Sequence, residues 1–216
     1  MSKRINIYQA VDMIKDGMSI MIGGFLAVGS ANTIIEAIAD KGIKNLTLIC
    51  NDASYPDKGV GLLIAKGCAK KCIASYIGSN PVAGEMMNNN TLDLEIVPQG
   101  TLAERVRCGG VGLGGVLTRT GVDTLVEEGK QKIEVDGVKY LLEKPLHADV
   151  ALLGASIADK HGNLVYRGTS RNFNPLMAMA ADLVIAEVKE EVEHLKSEEV
   201  MTPYLFVDYI VKENKK

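Results

Sequence analysis

The sequence predicts an α/β fold: an open, mostly parallel sheet with helices on both faces and an inserted antiparallel hairpin. Three observations carry that expectation. Short, almost unbroken apolar runs such as 18–22 and 46–50 have the character of strands covered on both faces. Helix-periodic stretches follow them, and the strand–loop–helix unit returns about every 25 to 30 residues, the rhythm of βαβ crossovers. That rhythm breaks around Asp136-Gly137, a pair suited to a type I′ turn and flanked by two short extended runs.

In order, a first helix is expected over 7–16, with Ile7, Ala10, Val11 and Ile14 on one face, ended by Asp16-Gly17. Strand 18–22 leads through Gly23-Gly24 to a helix over 32–40. Strand 46–50, helix 60–69, strand 72–76, helix 82–88, strand 92–97 and helix 102–107 continue the pattern. Residues 108–121 hold six glycines and almost no charge, so they are expected to be neither a good helix nor an ordinary strand. The hairpin spans 131–142, and buried strands return at 149–153 and 183–187. Between them lie an extended segment at 162–166 and a polar loop at 167–174. The periodic stretch 205–211 fits helix or strand. One domain over 1–216, with the hairpin as an excursion, is the expected organisation.

A chain of 216 residues, 47% hydrophobic, is long enough for a substantial core. Its 24 basic and 27 acidic residues leave a net charge of -3, which disfavours a nucleic-acid footprint. The basic group Lys212, Lys215 and Lys216 is interrupted by Glu213 and reads as a solvated end. The early apolar stretch is shorter than a bilayer crossing and has no plausible cleavage site after it, so no membrane association and a cytoplasmic location are expected. Cys50, Cys68, Cys72 and Cys108 read as reduced and buried. His147, His161 and His194 have no ligand spacing, so no metal is expected.

The loop Gly23, Gly24, Phe25, Leu26, Ala27, Val28, Gly29, Ser30 joins a buried strand to a helix. Such a junction offers backbone N–H groups and a positive helix end to an anion. It also lies where open α/β sheets bind ligands. Its spacing is neither G-x-G-x-x-G nor a P-loop. A tight turn without a ligand explains the glycines equally well. Asn51-Asp52 and Gln99-Gly100, also at strand ends, extend the set toward one pocket, although Asn51 or Asp52 could cap a turn or a helix and Gln99 could bond its own loop. Glu104, Arg105 and Arg107 fit a solvated or interface face as well as a ligand contact. Arg171 fits either a phosphate contact or a pin for its loop.

The ordered motifs GGFLAVGS (23–30), LTLICND (46–52), ASYIGSNP (74–81), VPQGTLAERVRCGGVGLGGVLTRTG (97–121), EEGK (127–130), KYLLEKPLHADVAL (139–152) and RNFNPLMAMAA (171–181) cover nearly the whole chain. In them the sequence resembles the α-subunits of the 3-oxoacid CoA-transferase family, which includes the acetate, butyrate–acetoacetate and succinyl–3-oxoacid enzymes. The resemblance implies an open α/β subunit that pairs with a similarly folded β-subunit across the active site. It implies that Gly23 to Gly29 bind coenzyme A as substrate, with no permanently bound cofactor. Asn51 and Gln99 would line the reacting centre in supporting catalytic roles. The family's usual proline after the last glycine is replaced here by Ala31.

The family nucleophile is a glutamate of the β-subunit, in a Ser-Glu-Asn-Gly type of motif that this chain lacks. Glu36, Glu104 and Glu143 have no matching surroundings. The implied chemistry begins with carboxylate attack on the thioester, giving an acyl–glutamyl anhydride and CoA thiolate. The thiolate then returns to the glutamyl carbonyl, releasing the first acid, and the acceptor acid reverses the steps. Short-chain acids such as acetoacetate, butyrate or acetate are implied, as in short-chain fatty acid and ketone body metabolism, in an α2β2 or α4β4 assembly. Two rival classes keep the same loop: a sugar-phosphate isomerase, for which no acid–base pair stands out, and a regulatory protein binding acyl-CoA or a sugar effector.

Overall fold

The computed structural model describes residues 3–213, so Lys215 and Lys216 of the basic end lie outside the described residues. The main sheet has seven strands in a row: β1 (Ser19–Ile22), β2 (Leu46–Cys50), β3 (Ala69–Ala74), β4 (Asp93–Ile96), β8 (Ala148–Asp159), β10 (Ala181–Val192) and β11 (Tyr209–Lys212). Their spatial order is β11-β10-β8-β1-β2-β3-β4, all parallel. The two-residue β9 (Leu164–Val165) pairs antiparallel with β8. A second, three-stranded antiparallel sheet joins β5 (Val116–Thr118), β6 (Lys132–Val135) and β7 (Val138–Glu143). The expected architecture is present, and the Asp136-Gly137 turn has both residues at positive φ.

Alternation along the strands builds two cores. Ile20, Ile22, Leu48 and Cys50 face α1 (Ile7–Asp12), α2 (Asn32–Lys41), α3 (Val60–Ala65) and α4 (Pro81–Asn88). Met21, Ile49, Ile73 and Ala151 face the other way, against α5 (Gln99–Gly110) and α6 (Asn174–Met177). Local chemistry sets the helix ends. Asn6 and Gln9 form a capping box on α1, Gly42 closes α2 at φ 73, and Asn80 caps α4 with Pro81 at its first turn.

Several boundaries differ from expectation for identifiable reasons. The last part of 7–16 leaves the α-helix through bonds from Met13 N–H to Ala10 and Ile14 N–H to Val11, spaced three residues apart. Gly67, at φ 64, cuts α3 short of residue 69. Strand β3 starts at Ala69 rather than 72, because Lys70 and Lys71 hide its apolar character. Helix α5 runs from Gln99 through Gly110, into the stretch expected to be non-helical. Its glycines permit close approach there: a Cβ on Gly109 would sit 1.9 Å from the Leu146 carbonyl oxygen, and one on Gly110 2.6 Å from Met179 Cβ. The same stretch also contains β5. The ambiguous segment 205–211 resolves into a 3-10 turn at Tyr204–Phe206 and then β11.

The site lies where the order of the sheet reverses. From β1 the chain adds β2, β3 and β4 on one side, then returns to place β8 on the other. The boundary between β1 and β8 is a topological switch point, where loops leave the strand ends in opposite directions and open a crevice.

Candidate active site

Loop 23–30 leaves β1 at that crevice. Its centre is a tight hairpin turn, with Phe25 N–H bonded to the Val28 carbonyl at 3.0 Å and Val28 N–H to the Phe25 carbonyl at 2.9 Å. Leu26 and Ala27, the central residues, both have positive φ (48° and 68°) without being glycine, so the turn carries backbone strain. Asp52 offsets it. One carboxylate oxygen accepts from Leu26 N–H at 3.0 Å and the other from Ser54 N–H at 2.8 Å. Burial pushes the Asp52 pKa up, against the lowering effect of these two bonds.

Close packing explains the loop's glycines. A Cβ on Gly29 would lie 2.5 Å from the Ser170 carbonyl oxygen, and one on Gly23 only 1.8 Å from Asn174 Oδ1. Asn174 is fully buried and ties three segments together. Its Nδ2 donates to the carbonyls of Gly29 and Ser170, both at 2.9 Å, and its Oδ1 accepts from Gly154 N–H at 3.2 Å. Within the loop, the N–H groups of Gly24, Ala27 and Gly29 have no hydrogen-bond partner among the described residues.

The expected helix dipole is otherwise engaged. The first N–H groups of α2 are capped by the buried Glu187 carboxylate, which accepts from Thr33 N–H at 3.2 Å, Thr33 Oγ1 at 2.7 Å and Ile34 N–H at 2.9 Å. An incoming anion would compete with a side chain already in place. Ala31, where the resemblance expects proline, has φ -79, inside the range a proline ring would fix.

Asn51 and Gln99 come together as expected. Asn51 is buried at the end of β2, and Gln99 is the exposed first residue of α5 rather than a loop residue. Gln99 Nε2 donates to Asn51 Oδ1 at 2.8 Å, and Ser75 Oγ donates to the same oxygen at 3.0 Å. Asn51 Nδ2 donates to Asn172 Oδ1 at 3.3 Å. Asn51 and Gln99 share a cleft of about 350 Å³ with Phe25, Leu26 and Val28 on one wall and Thr169 and Asn172 on another. On the far side of the glycine loop, Ala27, Val28, Gly29 and Ser30 border a smaller cleft of about 200 Å³ that Glu187 and Lys189 also line.

The other candidates lie elsewhere. Arg105 is buried and holds Glu95 at 2.6 Å and the Lys144 carbonyl at 2.9 Å, while Arg107 pairs with Glu104 at 2.8 Å. Arg171 is exposed and is not among the residues lining either cleft. Glu143 is buried against Lys130 at 2.6 Å, and Glu36 borders a separate groove between α1 and α2. Among the described residues, no carboxylate lines the Asn51–Gln99 cleft. Thr169, Asn172 and Asn174 were not singled out from sequence. The one available signal is the pair of asparagines around Phe173 just before Pro175, and of these only Asn172 has positive φ, a conformation that asparagine tolerates; nothing comparable marks Thr169.

The coenzyme A transferase family matches residues 4–213. The chain belongs to that family. Over 214 residues it is 54% identical to the acetoacetyl-CoA:acetate/butyrate CoA transferase alpha subunit of Clostridium acetobutylicum, covering 98% of each chain. It is 47% identical over 212 residues to the acetate CoA-transferase subunit alpha of Escherichia coli, covering 97% of this chain and 96% of the relative. The fold recurs in an acyl-CoA transferase from E. coli O157:H7 (TM-score 0.88, 22% identity), where the match covers 98% of this transferase chain but 47% of that one. Glutaconate coenzyme A-transferase from Acidaminococcus fermentans is similar too (TM-score 0.84, 20% identity, 98% and 75% covered). Among the described residues of this CoA-transferase, no helix is long and apolar enough to cross a membrane.

Proposed function

We propose that this chain is the α-subunit of a cytoplasmic, heteromeric CoA-transferase that moves coenzyme A between a short-chain acyl-CoA and a carboxylic acid. The β-subunit supplies a glutamate that becomes the glutamyl-CoA intermediate. The observation that carries this reading is the row of amides, Gln99, Asn51 and Asn172, beside the glycine loop in a cleft that no carboxylate among the described residues lines. Such a cleft can hold and polarise an acyl group, and a nucleophile must enter from outside.

In this reading coenzyme A lies along the loop that Gly23, Gly24 and Gly29 let pack against Asn174, Ser30 and Ser170, and the unpaired N–H groups of the loop meet its polar atoms. Asn51 and Gln99 donate to the oxygen on which charge develops at each attack. Phe25, Leu26 and Val28 give the acyl chain an apolar wall. The acids favoured are acetoacetate, butyrate and acetate. Support comes from the relatives named for acetate and butyrate, at 54% and 47% identity, against 43% and 44% for relatives named for succinyl-CoA:3-ketoacid and 3-oxoadipate transfer. An α2β2 or α4β4 assembly fits the reading, and sedimentation of the complex distinguishes the two.

The test is co-purification with the protein encoded beside this one, then turnover of acetoacetyl-CoA with a panel of carboxylates. Gln99→Ala is expected to lower kcat by about 10²-fold while the subunits still co-purify. Unchanged turnover would remove Gln99 from the proposed role.

A further inference from the structure

Asn172 stands out among the cleft residues for its backbone. Its φ of 37° with ψ of -132° is a combination that glycine adopts readily and side-chain-bearing residues avoid. Two anchors hold it there. Asn51 grips its side chain, and two residues on, the buried Asn174 fastens the segment to Gly29, Gly154 and Ser170.

The amide's orientation follows from one obligate donor. Phe173 N–H bonds Asn172 Oδ1 at 2.8 Å, and a backbone N–H only donates, so Oδ1 must face it and Nδ2 must lie on the other side. Asn51 can then meet Asn172 Oδ1 only with its Nδ2, which leaves Asn51 Oδ1 to accept from Gln99 and Ser75. A single main-chain donor thus sets the direction of the whole row. Asn172 Nδ2 itself has no partner among the described residues, and Asn172 lines the cleft.

We infer that Asn172 is a third substrate-contacting residue, whose Nδ2 donates to the acyl oxygen as that oxygen gains negative charge. The inference rests on the CoA-transferase reading above and adds a residue to its site. It accounts for a strained non-glycine residue where glycine would fit better, because glycine would bring no donor.

The experiment uses the complex with the β-subunit and two variants. Asn172→Gly relieves the backbone and removes the donor. Asn172→Asp keeps the acceptor for Asn51 and Phe173 but replaces the donor with a carboxylate. Both are expected to lose about 10²-fold in kcat and in kcat/KM alike, with Tm at or above wild type for Asn172→Gly. Wild-type-like kcat in Asn172→Gly means that the residue serves only the turn and overturns the inference. Retained kcat in Asn172→Asp alone means that it only positions Asn51, which overturns the contact equally. No CoA exchange by the wild-type complex would instead bring down the transferase reading, and this inference with it.

Discussion

Gly23 and Asn174 occupy one space: the hydrogen on Gly23 faces an amide that a methyl group would strike at 1.8 Å. Gly23→Ala should therefore destabilise the chain by about 2 kcal/mol through overpacking. Asn174→Ala loses three hydrogen bonds but opens that space, so the double variant should cost less than the sum of the singles. Urea denaturation of the four proteins measures this, and strict additivity would show that the two residues do not compete. At this scale Asn51 and Gln99 were legible because polar residues just beyond apolar strands fall at the crevice of an open sheet. Asn172 and Asn174 were not, because an irregular loop has no periodicity from which to read direction. Their partners are also more than 100 residues away in sequence for Asn51 and Gly29.

Helix α2 shows how an element's environment reverses a local expectation. Its N-terminus reads as an anion site, yet Glu187, from the other half of the sheet, already occupies it. Burial raises the Glu187 pKa, opposed by the bonds from Thr33 and Ile34, with Glu213 raising it further. A carboxyl with a raised folded pKa keeps its proton longer in the folded chain than in the unfolded one. Its contribution to stability is full below the unfolded pKa and is lost as pH rises through the folded value. Relative to Glu187→Gln, the wild type should lose stability as pH climbs from the ordinary glutamate range toward that raised value. Urea midpoints of both proteins across that range test this, and a constant gap would contradict it. The strands doubly covered by helices, β1 and β2, were legible almost to the residue. The outer halves of β8 and β10 were not, since polar residues such as Glu190 and Glu191 pair there with Ile157 and Ala158.

For the whole molecule, the parallel order and its switch point follow from strands and helices that alternate along the chain and then break at the hairpin. The proposed division of labour rests on the assembled site. The cleft has amides, an apolar wall and a strained glycine loop, while Glu36, Glu104 and Glu143 are held in other parts of the fold. In the proposed function, a chain built this way prepares an acyl-CoA for attack and leaves the attack to a partner. Intact-mass analysis of both subunits after mixing the complex with acetoacetyl-CoA tests that claim directly. The account predicts that the mass of coenzyme A, less one water, appears on the partner while this chain stays unmodified; an adduct on this chain would contradict it.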